Sequence, residues 1–402
     1  MNRLTLLVTL SGRDRPGVTA QLFTALVGTR SSVLDVEQVV IRGRLVLGVL
    51  LATDEMDAAA VVERVRTVGA TLGMTVETER GHDEDDPRRR GRLHVSVVAE
   101  PMLPVALAAV ADALASLGAN IDRIVRLSRS PVTCLELEVS GAEPSAVRGR
   151  LAAVAAAYQI DVAVQPSGLL RRAKRLVVMD VDSTLIQGEV IEMLAERAGF
   201  GSQVAAVTKM AMAGELDFEA ALRERVRHLA GVPVSVLDEV RQAVRLTPGA
   251  RTLVRTLQRL DHAVAAVSGG FSQVVEPIAR ELGLTYWAAN TLEVTDGLLT
   301  GELVGPIVDR AGKASALRGF AADAGVPLAQ TVAIGDGAND LDMLSLAGLG
   351  IAFNAHPVVQ EVADTSVTVP FLDTVLFLLG ITRDEVDQVD AEGDPEDGPE
   401  AG

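Results

Sequence analysis

The sequence predicts an α/β chain: two small βαββαβ units, then a larger unit built on a parallel sheet that carries a helical insertion. Three observations predict it. One order of strands and helices runs through residues 3–79 and restarts at residue 93. Three apolar strand candidates further on, at 176–179, 263–267 and 331–334, each end in a polar or glycine-rich cluster. Between the first two lies a long amphipathic stretch with little strand character. At 402 residues there is material for two to four domains with ample cores.

In the first unit, residues 3–10, 33–41, 43–52 and 74–79 read as strands, and 17–27 and 58–72 as helices with apolar periodicity. This is the split βαβ plan of ferredoxin-like domains. At its first turn stands Asp14-Arg15-Pro16-Gly17. Pro16 bends the entry and Gly17 permits close approach at a helix N-terminus, a setting suited to a carboxylate, although a plain helix start accounts for it as well. Residues 81–91 then form a charged run, four acids followed by three arginines. Acids directly ahead of the arginines favour a solvated linker over a nucleic-acid patch.

The order then repeats: strands at 93–98, 120–127, 134–139 and 161–164, helices at 103–117 and 144–157. Gly118-Ala119-Asn120-Ile121-Asp122 holds the place of residues 30–35 in the first copy, as an internal repeat requires. At its first turn the second copy reads Glu100-Pro101-Met102-Leu103-Pro104, without a glycine. That removes the feature that suits the first turn to a ligand but leaves edge-to-edge dimerisation open.

Composition narrows the function. A net charge of −17 argues against a nucleic-acid partner. No run of 18 apolar residues and no basic-apolar leader is present, so a cytoplasmic protein without a membrane partner is expected. The single cysteine, Cys134, excludes an intrachain disulfide and reads as a core residue in an alternating apolar stretch. Residues 383–402 are acidic, lack aromatics and read as a disordered tail.

The chemistry is carried by the second half. The strand at 176–179 runs into Asp180-Val181-Asp182-Ser183-Thr184. Two carboxylates at a strand end repel unless a cation or a shared proton relieves them. At i and i+2 of an extended segment they point the same way, so one can attack while the other handles a proton. A capping turn for the next helix is the plainer alternative. Residues 189–245 read as a small helical bundle set beside the sheet. In it Arg223, Arg225 and Arg227 form a solvated face, or one of them clamps a carboxylate. The second strand ends in Ser268-Gly269-Gly270-Phe271, able to cradle a phosphate by hydroxyl and backbone N–H, or a simple turn. Asp296-Gly297 marks a hairpin joining 292–294 to 298–299. Lys313 opens a further helix, with a surface position equally open. The third strand ends in Gly335-Asp336-Gly337-Ala338-Asn339-Asp340, whose Asp336 and Asp340 are hard oxygen ligands suited to Mg2+. The spacing lacks the closing glutamate of a calcium loop.

Jointly the motifs are far more specific than singly. Residues 175–380 resemble the haloacid dehalogenase superfamily of phosphotransferases, and within it the members acting on free phosphoserine. The supporting stretches are DVDST with Glu189, Met212-Ala213-Gly214, Asp217-Phe218-Glu219, Leu222-Arg223-Glu224-Arg225-Val226, VSGGF and GDGAND. The first 165 residues are similar to tandem ACT domains, and the whole to the long actinobacterial form. The resemblance implies a Rossmann-like core with a helical cap. The implied layout is ACT-like domains at 1–80 and 92–168, a linker at 81–91, a catalytic domain at 172–382 with its cap at about 189–247, and the tail.

The resemblance also implies roles. Asp180 is the nucleophile and Asp182 the general acid and base. Asp180, the Asp182 main-chain carbonyl and Asp336 hold Mg2+, with Asp340 behind them. Ser268, Gly269, Lys313 and Asn339 serve the phosphate. Glu189, Arg225, Met212, Phe218 and Gly270 serve the amino-acid part of O-phospho-L-serine, and Asp14 and Gly17 an effector, with L-serine as product and effector. A homodimer or tetramer follows from the ACT-like pair. Arg223 and Arg225 compete for one role, since only one of them can face the cleft. The rival readings are a phosphatase for a phosphoprotein or phosphohomoserine, and an amino-acid-responsive regulator with a vestigial phosphatase. Glu189 with Arg225 favours a free zwitterion, and no catalytic position has been lost.

Overall fold

The computed structural model describes residues 4–82, 92–168, 171, 173–212 and 217–391, which form two compact units, Met1–Pro87 and Arg88–Gly402. The first unit runs β1 (Leu4–Arg13), α1 (Val18–Leu26), β2 (Ser32–Ile41), β3 (Arg44–Thr53), α2 (Glu55–Leu72) and β4 (Thr75–His82). The strands form an antiparallel sheet in the order β2-β3-β1-β4. Strand alternation sends Leu6, Val8 and Leu10 of β1 and Leu45, Leu47, Val49 and Leu51 of β3 into one core with Val18, Leu22, Val61 and Val65 of the helices. Helix α2 starts at Asp54, whose carboxylate accepts from the Asp57 N–H, and stops at Gly73 with φ 61°. Strand β4 runs on to His82, two residues into the stretch read as linker, because Gly81 and His82 still pair with Thr5 and Leu4. Residues 83–91 lie outside the described residues.

The second unit opens with the same plan: β5 (Leu93–Ala99), α3 (Pro104–Ser116), β6 (Asn120–Ser128), β7 (Thr133–Ser140), α4 (Pro144–Tyr158) and β8 (Asp161–Pro166). Its sheet order, β6-β7-β5-β8, is that of the first copy. The two copies differ at the helix start. Helix α1 begins on Gly17 at φ 91°, whereas α3 begins on Leu103 in extended backbone with Pro104 in its first turn. They differ also in burial. On one face of the second sheet lie α3 and α4, and on the other Val98, Leu127, Val132, Cys134 and Ala163 join the core of the domain that follows. Burial there pushes the Cys134 thiol up to about 12, so it is a packing residue and not a nucleophile. Polar ties reinforce the join. Asp161 accepts from Thr368 N at 2.8 Å and Oγ1 at 3.0 Å, and Gln165 donates to the Leu378 carbonyl at 2.8 Å.

The larger domain of this unit begins with β9 (Leu176–Asp180). A helical cap follows: α5 (Val190–Ala198), α6 (Gly201–Met212), α7 (Phe218–Arg227) and α8 (Ser235–Ala243). Then come α9 (Ala250–Arg259), β10 (Ala263–Phe271), α10 (Ser272–Glu281), β11 (Tyr286–Thr295) and β12 (Leu298–Val304). After them run α11 (Arg310–Asp323), β13 (Thr331–Gly335), α12 (Leu341–Leu346), β14 (Gly350–Phe353), α13 (Pro357–Val362) and β15 (Thr365–Val367). Two short helices close the described chain, α14 (Thr374–Leu378) and α15 (Arg383–Ala391). The sheet order is β12-β11-β10-β9-β13-β14-β15, parallel except for β12. Central β9 is buried at every residue, so its carboxyl end meets the loops that follow β10 and β13. No helix among the described residues is long and apolar enough to cross a membrane.

Three readings need correction. The hairpin is longer than expected: β11 begins at Tyr286, pairing parallel with β10 before it turns antiparallel to β12. Strands β14 and β15 were not foreseen, since four and three residues give too short a pattern. The tail is ordered at its start. Thr382 and Glu385 cap α15 reciprocally, Glu385 N to Thr382 Oγ1 at 3.3 Å and Thr382 N to Glu385 Oε2 at 2.6 Å, and Val386 is fully buried. Residues 392–402 lie outside the described residues. Val386→Ala is therefore expected to lower the unfolding free energy by about 2 kcal/mol in denaturant titration; no change would restore the disordered reading.

Candidate active site

The Asp180/Asp182 pair is made by a turn and not by an extended strand. Strand β9 stops at Asp180, and Val181–Leu185 closes a tight turn in which Ser183 takes φ 56°. Ile186 N returns to the Val181 carbonyl at 2.9 Å and Ser183 N to the Gly188 carbonyl at 3.1 Å. Both carboxylates line one cavity of about 700 Å³ all the same. The i, i+2 argument reached the right neighbourhood by the wrong backbone.

Beneath the cavity Lys313 is fully buried, its ammonium 2.7 Å from Asp180 Oδ1 and 2.8 Å from Asp340 Oδ1. The surface alternative for Lys313 is thereby excluded. Burial opposes its charge, yet the two carboxylates hold it above its ordinary value. Asp180 is pushed up by burial and then by Asp340, against the pull of Lys313. Asp336, half-buried, is raised to about 6 by burial and by Asp340, while its Oδ1 accepts from Thr184 at 3.1 Å. Carboxylate oxygens of Asp180, Asp336 and Asp340 lie within 4.8 Å of one another. Three carboxylates against one ammonium leave a surplus of negative charge on hard oxygen donors, so a divalent cation fits this cluster.

Asp182 has a separate environment. Val190 N donates to its Oδ1 at 2.7 Å and Ser268 Oγ to its Oδ2 at 2.9 Å, while burial raises its pKa. The glycines around it are demanded by space. A Cβ on Gly270 would lie 2.9 Å from both Asp182 Oδ2 and Ser268 Oγ, and one on Gly269 would lie 3.1 Å from the Phe218 ring. A Cβ on Gly335 would strike Asp340, and one on Gly337 would strike Asn339.

The cap supplies the other wall. Glu189, Phe218 and Arg225 line the cavity with Gly269, Gly270 and Asn339. Glu189 is raised to about 7 by burial and then by the Asp182 charge, and it accepts from Ser183 Oγ at 3.1 Å. Burial pulls the Arg225 pKa down. Arg223 instead pairs with Glu219 at 2.8 Å and Arg227 with Glu224 at 2.9 Å on the exposed side of α7. The Met212 side chain and residues 213–216 lie outside the described residues. Asp14 and Gly17 stand exposed at the β1–α1 turn of the first unit.

Sequence reasoning gave no role to several residues. Thr184 steadies Asp336, and Thr247 Oγ1 holds the Thr184 carbonyl at 2.7 Å. Asn290 donates to the Gly269 carbonyl at 2.9 Å and accepts from Val308 N at 2.8 Å, tying the Ser-Gly-Gly loop to the chain ahead of α11. A buried amide in an apolar strand was the only available signal. Thr208, Arg310 and His356 also line the cavity.

Comparison with known proteins agrees with this geometry. Residues 177–345 match the haloacid dehalogenase-like hydrolase family, and 4–79 and 93–165 each match an ACT domain. The phosphoserine phosphatase of Streptomyces coelicolor is 56% identical over 400 residues, covering 98% of this chain and 97% of that one. The phosphoserine phosphatase SerB2 of Mycobacterium tuberculosis is 53% identical over 394 residues, 97% and 96% of the two chains. Among solved structures, the probable phosphoserine phosphatase of Vibrio cholerae superposes with a TM-score of 0.58 at 32% identity, over 76% of this chain and 90% of that one.

Saturating Mg2+ is expected to raise the thermal midpoint, by the equivalent of about 2.7 kcal/mol at a hundred times its dissociation constant. Asp336→Asn should flatten that dependence; an unchanged response would place the cation elsewhere.

Proposed function

The chain belongs to the haloacid dehalogenase-like hydrolases, as a phosphoserine phosphatase with two ACT domains, and from that premise we propose how its residues act. It is a phosphoric monoester hydrolase that converts O-phospho-L-serine to L-serine and phosphate, the last step of serine synthesis. The supporting observation is that Asp180, Asp182, Glu189 and Arg225 all line one cavity with Lys313 and Ser268 bound to its floor.

Asp180 attacks phosphorus in line and forms an aspartyl-phosphate. Asp182, whose burial favours the protonated form, gives its proton to the departing serine oxygen and then takes one from the hydrolytic water. Ser268, the Gly269 N–H and Lys313 hold the phosphoryl oxygens as charge moves through them. Asp180, Asp336 and the Asp182 main-chain carbonyl would hold Mg2+, with Asp340 steadying the set through Lys313. Mg2+ supplies charge compensation for the phosphoryl group among these carboxylates. Glu189 receives the substrate ammonium and Arg225 its carboxylate, while Phe218 covers the site and Asn339 orients the phosphate. A peptide-borne phosphoserine offers neither charged end.

The ACT domains serve regulation and assembly. L-serine is the effector, taken at the Asp14–Gly17 turn of the first domain. A homodimer forms through the first domain, where edge strand β2 is exposed along its whole length and carries Val33, Leu34, Val36, Val39, Val40 and Ile41. The compartment is the cytoplasm, which accords with the single unbridged cysteine.

Phosphate release from O-phospho-L-serine with Mg2+ tests the chemistry. Asp180→Asn should lower kcat by roughly a thousandfold or more. Arg225→Ala should raise KM about 10- to 100-fold, as loss of a charged hydrogen bond does, and Arg223→Ala should leave it nearly unchanged. Preference for a phosphoserine peptide would overturn the substrate assignment. For the effector turn, Gly17→Asp should relieve inhibition by L-serine without lowering basal turnover; intact inhibition would move the effector site elsewhere.

A further inference from the structure

A second cavity, of about 490 Å³, lies within the second unit where its ACT domain meets the catalytic domain. Residues 164–168, 171 and 174, Arg148 on α4, and residues 329, 348, 349 and 364 of the catalytic domain build its wall. Three cations stand in that wall, Arg148, Arg171 and Lys174, against one carboxylate, Asp364. Asp364 is already engaged: its Oδ2 accepts from Gly350 N at 2.9 Å and its Oδ1 lies 3.8 Å from Arg148. Arg171 is buried and paired through Nη2 with Glu136, but its Nε has no partner among the described residues.

Lys174 is the least satisfied of the three. It is 6% exposed and forms no ion pair among the described residues. Its one hydrogen bond runs to the Ala329 carbonyl at 2.7 Å, which leaves two of its three N–H donors unused. Burying an ammonium is costly, and burial lowers the Lys174 pKa against the opposing pull of Asp364, the one carboxylate in the wall, which is already shared with Arg148 and Gly350 N. Spare buried donors, surplus positive charge and accessible volume are together the requirements of a small-anion site.

We propose that this junction cavity binds a small oxyanion, a phosphate or carboxylate group, on Lys174, Arg171 and Arg148. The site is separate from the catalytic one, and its case does not rest on the catalytic assignments. Its occupant bridges the two domains. Lys174 stands two residues ahead of β9, whose far end is Asp180, so occupancy bears on the central strand of the catalytic sheet.

Calorimetric titration of the full chain with inorganic phosphate tests the proposal, with malonate as the carboxylate probe. Ser268→Ala serves as the background that weakens phosphate binding at the catalytic site. In that background one phosphate per chain should still bind, and adding Lys174→Gln should weaken it about tenfold, as loss of one charged donor does. Arg148→Gln, at a half-exposed position of α4 that tolerates substitution, should weaken it as well. Binding of malonate with the same response to both variants would support the site and identify its ligand as a carboxylate. No residual binding of either anion, or binding indifferent to both variants, would overturn the proposal.

Discussion

Everything at the catalytic end of the sheet depends on one buried ammonium. Asp180 and Asp340 come from different strand ends and are both excluded from water, so their charges would drive the strand ends apart. Lys313, fully buried on α11, bonds to both. Breaking such a contact by removing one partner leaves an uncompensated buried charge, at a cost of about 3–5 kcal/mol. The fold therefore holds these three groups in a charged arrangement that is tolerable only as a set. The same arithmetic makes the cluster receptive to a cation, since one lysine does not balance three carboxylates.

The second constraint is room. Gly270, Gly335 and Gly337 are required because other side chains of the site occupy the space a Cβ would take. In each case the group in the way is a polar side chain of the site: Asp182 with Ser268, then Asp340, then Asn339. Glycine here shapes a cradle, and the polar groups lean on bare backbone. None of the three takes a left-handed φ, so conformational freedom is not the reason for them.

How much of this was legible follows from which physics is local. The strand-end motifs announced themselves because apolar runs of β-branched residues stop at polar clusters, and Asp180, Asp182, Ser268 and Asp336 converge as that pattern requires. The choice between Arg223 and Arg225 was not legible. Both occupy one helix two residues apart, and only the packing of α7 decides that Arg223 meets Glu219 while Arg225 enters the cavity. Asn290 was invisible for a related reason: its bonds run to Gly269 and Val308, and tertiary partners leave no spacing signature. Strands β14 and β15 escaped by brevity, and α15 by its acidic composition, which hid a reciprocal Thr382–Glu385 cap and a buried Val386.

The two ACT domains share a plan and have diverged in what their sheets touch. In the second, the face away from the helices is consumed by the catalytic core, and even Cys134 is packing. In the first, the edge strand β2 carries six apolar residues that remain exposed. A duplicated domain cannot leave both sheets open without enlarging the apolar surface that invites association with unrelated partners. The second copy shares its core with the catalytic sheet through Val98, Leu127, Val132, Cys134 and Ala163. The first copy starts its first helix on a glycine turn, and the second starts the matching helix on Leu103 in extended backbone ahead of Pro104.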